Sequence, residues 1–304
     1  MRHLFLVFCL AIISSVHAQE ATGLETFFPM KLFFANDEPN PRTNMPTTEL
    51  TYSDSYKSYA RQFQKYLVEG KQFNFLLEDD IKYNYEHLSP MKKMLLDSLN
   101  SGNRIVLTVK GFASPLHFSD YNINISKRRI SSFINDLKSN SELEKFINQK
   151  HLILEELPFG EYSAHESVND NLDSTHLSVH HIQASYERRV EVDLTQITSL
   201  KNPYLNSVTS FFDAGKIQSG DVVKQSFIIE NLGVNDLDVN EVVVSCGCSV
   251  AEAQLMKLAS GEKTTLDVEV DTAHLALGKQ VKSITVVYNN GQMKRFVILI
   301  DIVN

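Results

Sequence analysis

Hydrophobic and polar positions along this chain fall into two textures, a mixed one and an alternating one. In the mixed part, Phe27–Ala35 forms an apolar run that predicts a first strand, followed by a polar, proline-punctuated stretch over 36–48. Tyr56, Tyr59, Phe63 and Tyr66, with Leu67 beside them, recur at helical spacing. They predict a helix over 54–67 whose tyrosine row packs into a core. A second helix is expected over 89–99 with Pro90 in its first turn, where the missing N–H costs nothing. Arg104–Val109 alternates as a strand. Ile123, Ile130, Ile134 and Leu137 then form the apolar stripe of a helix capped by Ser119, with Asp120 in the first turn, where an acid suits the dipole. A short helix over 142–147 and strands over 152–157 and 188–197 complete this part. Strands and helices in this order predict an α/β sandwich, one sheet covered by helices.

After a linker over 198–209 the pattern becomes strands and turns. Val222–Glu230, Leu237–Ser245, Thr264–Val270, Val281–Tyr288 and Arg295–Ile302 are the expected strands, the last two joined by Asn289-Asn290-Gly291, residues that accept positive φ. Short strands at this density over 210–304 predict an all-β, immunoglobulin-like sandwich. At the other end, Arg2 and His3 precede an apolar run from Leu4 to Ile13, and Val16 and Ala18 supply the small residues of a cleavage site. A secretory signal peptide over 1–18 is expected, because the run is too short to span a bilayer. Cys9 lies within it behind Phe8, a poor context for lipoprotein processing. Two domains follow, over 19–197 and 210–304.

Composition narrows the function classes. The formal net charge is −8 without a polybasic block, which argues against nucleic acid or anionic lipid as partner. No later segment has transmembrane length. Removal of the signal peptide leaves Cys246 and Cys248, too few for a disulfide scaffold. An exported globular protein is the expectation.

The candidate chemistry centres on Gly111–Leu137. Asn122, Ser126 and Arg129 share a helix face, since steps of four and three residues nearly complete whole turns, and this face looks toward the turn at Ser114. A guanidinium, an amide and free backbone groups meeting there suit a carboxylate-bearing ligand. The pattern N-x-x-(L/I)-S-x-x-R, standing here as Asn122, Ile125, Ser126 and Arg129 behind Gly111-Phe112, resembles the OmpA-like C-terminal domain. Glu187-Arg188-Arg189-Val190-Glu191-Val192 is similar to that family's closing strand, so the resemblance covers about 27–197. It implies a domain that holds peptidoglycan by gripping diaminopimelate of the peptide stem with one aspartate and one arginine. Arg129 takes the arginine's place, whereas Ser114 stands where the aspartate is expected. A serine still accepts a hydrogen bond but adds no Coulomb attraction to an ammonium; Asp120 is a nearby alternative carboxylate. The implied peptidoglycan-binding residues are therefore Arg129, Asn122 and Ser114.

Other motifs are weaker. His176, His180 and His181 lie in the polar stretch 160–182 without an HExxH spacing, and a solvated loop is expected rather than a metal site. Neither GxSxG nor GxxxxGK[ST] occurs. In the second domain Ser245-Cys246-Gly247-Cys248-Ser249-Val250, with Asp213-x-Gly215, Glu230-Asn231-x-Gly233 and Ser260-Gly261-Glu262, resembles a bacterial domain-of-unknown-function family with an SCGCT motif. Ser249 replaces its threonine. Cysteines two apart on a strand point the same way at about 7 Å, the edge of disulfide reach, so a strained bridge, a Cu(I) site and an inert pair all remain open. The expected function is a non-enzymatic envelope protein without a cofactor. Its expected partners are the diaminopimelate-containing stem of peptidoglycan and an unidentified envelope protein. The alternatives are an interaction module that has lost wall binding, and a thiol-redox or copper protein acting through Cys246 and Cys248.

Overall fold

The computed structural model describes residues 23–68, 72–115, 118–164, 168, 179–245, 249–252, 256–289 and 291–304. The expected signal peptide, His176 and the Cys246/Cys248 pair lie outside them. The first domain runs β1 (Met30–Phe33), α1 (Tyr52–Ala60), α2 (Phe63–Val68), α3 (Gln72–Phe75), a π-helical segment Leu76–Lys82, α4 (Tyr83–Asn100) and β2 (Asn103–Phe112). It continues with α5 (Ser119–Lys138), α6 (Ser141–Asn148), β3 (Leu152–Gly160), α7 (Ile182–Glu187) and β4 (Arg189–Ser199). The sheet order is β1-β4-β2-β3, with β2 and β3 parallel across the α5–α6 crossover and the other pairs antiparallel. Ile105, Leu107 and Val109 turn one face of β2 onto Leu95, Ile130, Phe133 and Leu137 of the helices; of the stripe read from the sequence, Ile130 and Leu137 lie in this core, Ile134 packs against it, and Ile123 joins the cluster at the second domain.

Two helices differ from expectation. The helix over 54–67 is broken after Ala60. α1 starts earlier, on a capping box in which the Thr51 hydroxyl accepts from the Asp54 N–H and the Asp54 carboxylate accepts from the Thr51 N–H. Its tyrosines still behave as core: Tyr59 and Tyr66 are fully buried with Phe33 and Phe73. Pro90 sits inside the 18-residue α4 rather than in a first turn. Leu88, Met91, Leu95 and Leu99 bury against the sheet on either side of it, and that packing outweighs the one hydrogen bond proline removes.

The second domain is a two-sheet sandwich. One sheet has the order β10-β8-β12-β13-β6 and the other β5-β7-β11-β9. Its strands are β5 (Leu205–Ser207), β6 (Phe211–Gln218), β7 (Val222–Asn231), β8 (Leu237–Val244), β9 (Ser249–Glu252), β10 (Lys257–Leu258), β11 (Lys263–Asp271), β12 (Gly278–Tyr288) and β13 (Gln292–Val303). β6 escaped the sequence reading because Asp213 and Gly215, the latter at φ 67°, give it the composition of a turn. It pairs with β13 through a register shift that absorbs the irregularity.

The domains dock by covering β13 on both faces. Phe296, Ile298 and Ile300 enter the sandwich core, while Val297 and Leu299 pack against Leu157 and Ile123 of the first domain. A continuous apolar run is what a strand buried on both faces needs. Beside this contact, Lys294 pairs with Glu155 at 2.5 Å, with side-chain exposures of only 2% and 8%. The Tyr204 hydroxyl donates to the same carboxylate at 2.7 Å. Arg104 donates to the carbonyls of Asn202 and Leu232 at 3.3 and 3.1 Å. The segment expected as a linker is thus partly interior, with Tyr204 and Leu205 fully buried. Replacing Lys294 by Met strands a buried carboxylate and should cost about 3–5 kcal/mol in urea unfolding. The double variant Lys294→Met/Glu155→Leu should regain much of that loss; a cost under about 1 kcal/mol for the single variant would mean the pair does not hold the interface.

Candidate functional site

The site is built on the contact between β2 and α5. A Cβ placed on Gly111 would lie 2.6 Å from the Ser126 carbonyl oxygen and 3.0 Å from the Ile130 side chain. Glycine therefore lets the helix sit directly on the strand end, and small, fully buried Ser126 keeps the approach close. The next turn of α5 carries Arg128 and Arg129, both completely enclosed. Buried guanidiniums must be hydrogen-bonded, and the stretch 36–48 supplies the acceptors. Arg128 donates from Nε to the Pro39 carbonyl at 2.9 Å and from Nη1 to those of Thr43 and Met45 at 2.5 and 2.8 Å. Arg129 donates from Nε to the Glu38 carbonyl at 3.1 Å and from Nη1 to that of Phe112 at 2.7 Å, and lies over the Phe34 ring. Asp37, Asn40 and Arg42 take positive φ as the segment bends around these side chains.

The result is a cavity of about 420 Å³ to which Ser114, Asn122 and Arg129, the three residues named from sequence, all contribute. Asn122 has a structural task as well: its amide donates to buried Glu161, which also accepts from the Ser119 hydroxyl and pairs with Lys279 of the sandwich. Ser119 is thus not the cap of α5; that position is Phe118, and the serine hydroxyl is spent on Glu161. Asp120 is exposed and does not line the cavity.

Among the lining residues that sequence reasoning missed, two carry charge at the cavity from distant parts of the chain. Asp37 reaches the cavity from the 36–48 stretch, its carboxylate accepting from the Tyr121 hydroxyl and from the Arg42 N–H at 2.9 Å. No periodicity could have placed it there. Arg188 comes from the end of α7 and is also fully buried. It stood in the sequence as part of a strand motif without a ligand role.

Electrostatically the cavity favours anions, with Arg42, Arg129 and Arg188 set against Asp37. Burial first, then the like charges of Arg188 and Arg128, push the Arg129 guanidinium down to about 9, while Asp37 acts in the opposite sense. It stays charged at neutral pH. Of the three histidines named from sequence, His176 lies outside the described residues, the His180 ring packs edge-on against Tyr66 at 4.7 Å, and His181 Nδ1 accepts from the Gln183 N–H at the start of α7. Among the described residues no group of three potential metal ligands forms, and no helix is long and apolar enough to cross a membrane.

Comparison with known proteins identifies the second domain alone. The profile of a family described as a protein of unknown function (DUF1573) matches residues 205–301. No curated protein matches the chain. Among solved structures, a protein of unknown function from Porphyromonas gingivalis W83 is similar at 17% identity and TM-score 0.31, over 34% of this chain and 49% of its own. The ASH/PapD-like domain 7 of human CEP192 is similar at 9% identity and TM-score 0.30, over 35% of this chain and 90% of its own.

The depressed Arg129 sets a pH window. Affinity for a carboxylate ligand should be level between about pH 6 and 8, where the guanidinium is protonated, and fall by up to about tenfold per unit above its value near 9. Calorimetric titration across this range measures it; unchanged affinity at about pH 10.5 would contradict a lowered Arg129 pKa as the source of the pH dependence.

Proposed function

We propose that this chain is a non-enzymatic cell-envelope protein whose first domain binds the diaminopimelate-containing peptide stem of peptidoglycan and whose sandwich contacts another envelope protein. The observation that carries the reading is Arg129: buried, fixed by two backbone carbonyls, and on the wall of a cavity shared with Ser114 and Asn122. Two of its five N–H donors are taken by the protein, which leaves a fixed cation with donors for a ligand carboxylate. The OmpA-like pattern Gly111-Phe112…Asn122-x-x-Ile125-Ser126-x-x-Arg129 supports the same ligand, and the close β2–α5 contact gives its glycine a physical reason. Under this reading the expected setting is the periplasm, at the outer membrane.

The competing reading keeps the fold and drops the wall: with Ser114 in place of an acid, both domains act as protein-interaction modules within an envelope assembly. Co-sedimentation with purified sacculi separates the two. Wild type should pellet with sacculi and be released by free stem peptide. Arg129→Lys, which keeps the charge and loses the planar fork, should pellet at least about tenfold less while a cooperative melting curve shows that it is still folded. Wild type that stays in the supernatant, or that pellets no better than a folded Arg129 variant, would rule out wall binding through this cavity.

A further inference from the structure

Arg188 is the least satisfied charged side chain in the cavity. It is 1% exposed, and its Nη2 donates to the Ser185 hydroxyl at 2.9 Å. Its Nε and Nη1 are buried without a hydrogen-bond partner. The groups packed around it offer little. The Tyr66 ring lies 5.8 Å from its centre, and the neighbouring Tyr59 hydroxyl, its pKa raised by burial, is drawn back by the Arg188 charge and by polar contacts with Ser185 and Arg188 that fall short of good hydrogen-bond geometry. A buried cation with orphaned donors is expensive, and proteins keep one where an anion arrives to complete it.

Asp37 stands in the converse condition. Its carboxylate accepts from the Tyr121 hydroxyl and the Arg42 N–H, whereas an ionised carboxyl has about four lone-pair sites. It therefore has capacity for an ammonium, and it is the one carboxylate among the described residues lining the cavity. Against it stand Arg42, Arg129 and Arg188. Charge complementarity then calls for a ligand end with more carboxylates than ammoniums.

We propose that Arg188 and Asp37 are ligand-binding residues of this cavity: Arg188 receives a second carboxylate beside the one held by Arg129, and Asp37 receives the ligand's ammonium in place of the acid missing at position 114. This rests on the wall-binding reading and specifies it. Diaminopimelate at the end of a stem tripeptide carries two carboxylates and one ammonium. Lysine in the same place lacks one of those carboxylates. Arg188 is thus the residue that reads the difference between the two stem types.

The test is calorimetry of the full chain with two synthetic stem tripeptides, one ending in meso-diaminopimelate and one in L-lysine. Wild type should bind the diaminopimelate peptide about tenfold or more tighter, the scale of one charge-assisted pair. Arg188→Gln should abolish that preference while leaving the lysine peptide within about twofold of its wild-type affinity. Asp37→Asn should weaken both peptides, since both carry the ammonium. Melting curves establish that each variant is folded, and Arg188→Lys, which keeps the charge, should retain part of the preference. Equal weakening of both peptides by a folded Arg188→Gln, or no change, would make Arg188 structural and overturn the inference while wall binding stands. Binding of neither peptide by wild type would instead remove the wall-binding reading and the inference with it.

Discussion

Three enclosed guanidiniums, on Arg128, Arg129 and Arg188, are the constraint around which the first domain is arranged. A buried cation left unbonded costs several kcal/mol, so the chain must bring acceptors to α5. It does so with backbone carbonyls from Glu38, Pro39, Thr43 and Met45, in a segment without regular secondary structure of its own. That segment is therefore ordered by the side chains of a helix 83–91 residues away in sequence. Arg128 is consumed by the task. Arg129 is half consumed, and Arg188 keeps two nitrogens unspent. The cavity is what remains where the acceptors run out.

The same cavity is joined to the second domain through a short polar relay. Asn122 on its wall donates to Glu161, and Glu161 pairs with Lys279 on β12. Together with the Lys294–Glu155 pair and the two-sided burial of β13, this makes the domain junction an interior rather than a hinge. Whatever occupies the cavity in the proposed wall-bound state is thus held by an element rigidly connected to the sandwich.

The sequence made some of this legible and hid the rest for physical reasons. Alternation in Leu266, Val268 and Val270 and the helical spacing of Ile130, Ile134 and Leu137 announced their elements because burial on one face imposes a period. β6 did not, since a glycine at positive φ and an aspartate gave it the appearance of a turn. The spacing of Asn122 and Arg129 put both on one helix face, and both line the cavity together with Ser114. Asp37 and Arg188 were invisible as site residues: they arrive from an irregular segment and from the end of a six-residue helix, and only tertiary packing brings them to the cavity. The apolar run Phe296–Ile300 was readable as a strand, but that its second face is covered by the other domain was not.

The most direct test of the account is the arginine side-chain NMR spectrum during titration with a diaminopimelate-containing muropeptide. The account predicts that the Nε–H signals of Arg129 and Arg188 shift saturably with one common dissociation constant, while that of Arg128, already held by three carbonyls, stays in place. Signals from Arg129 and Arg188 that do not move at saturating muropeptide would contradict it.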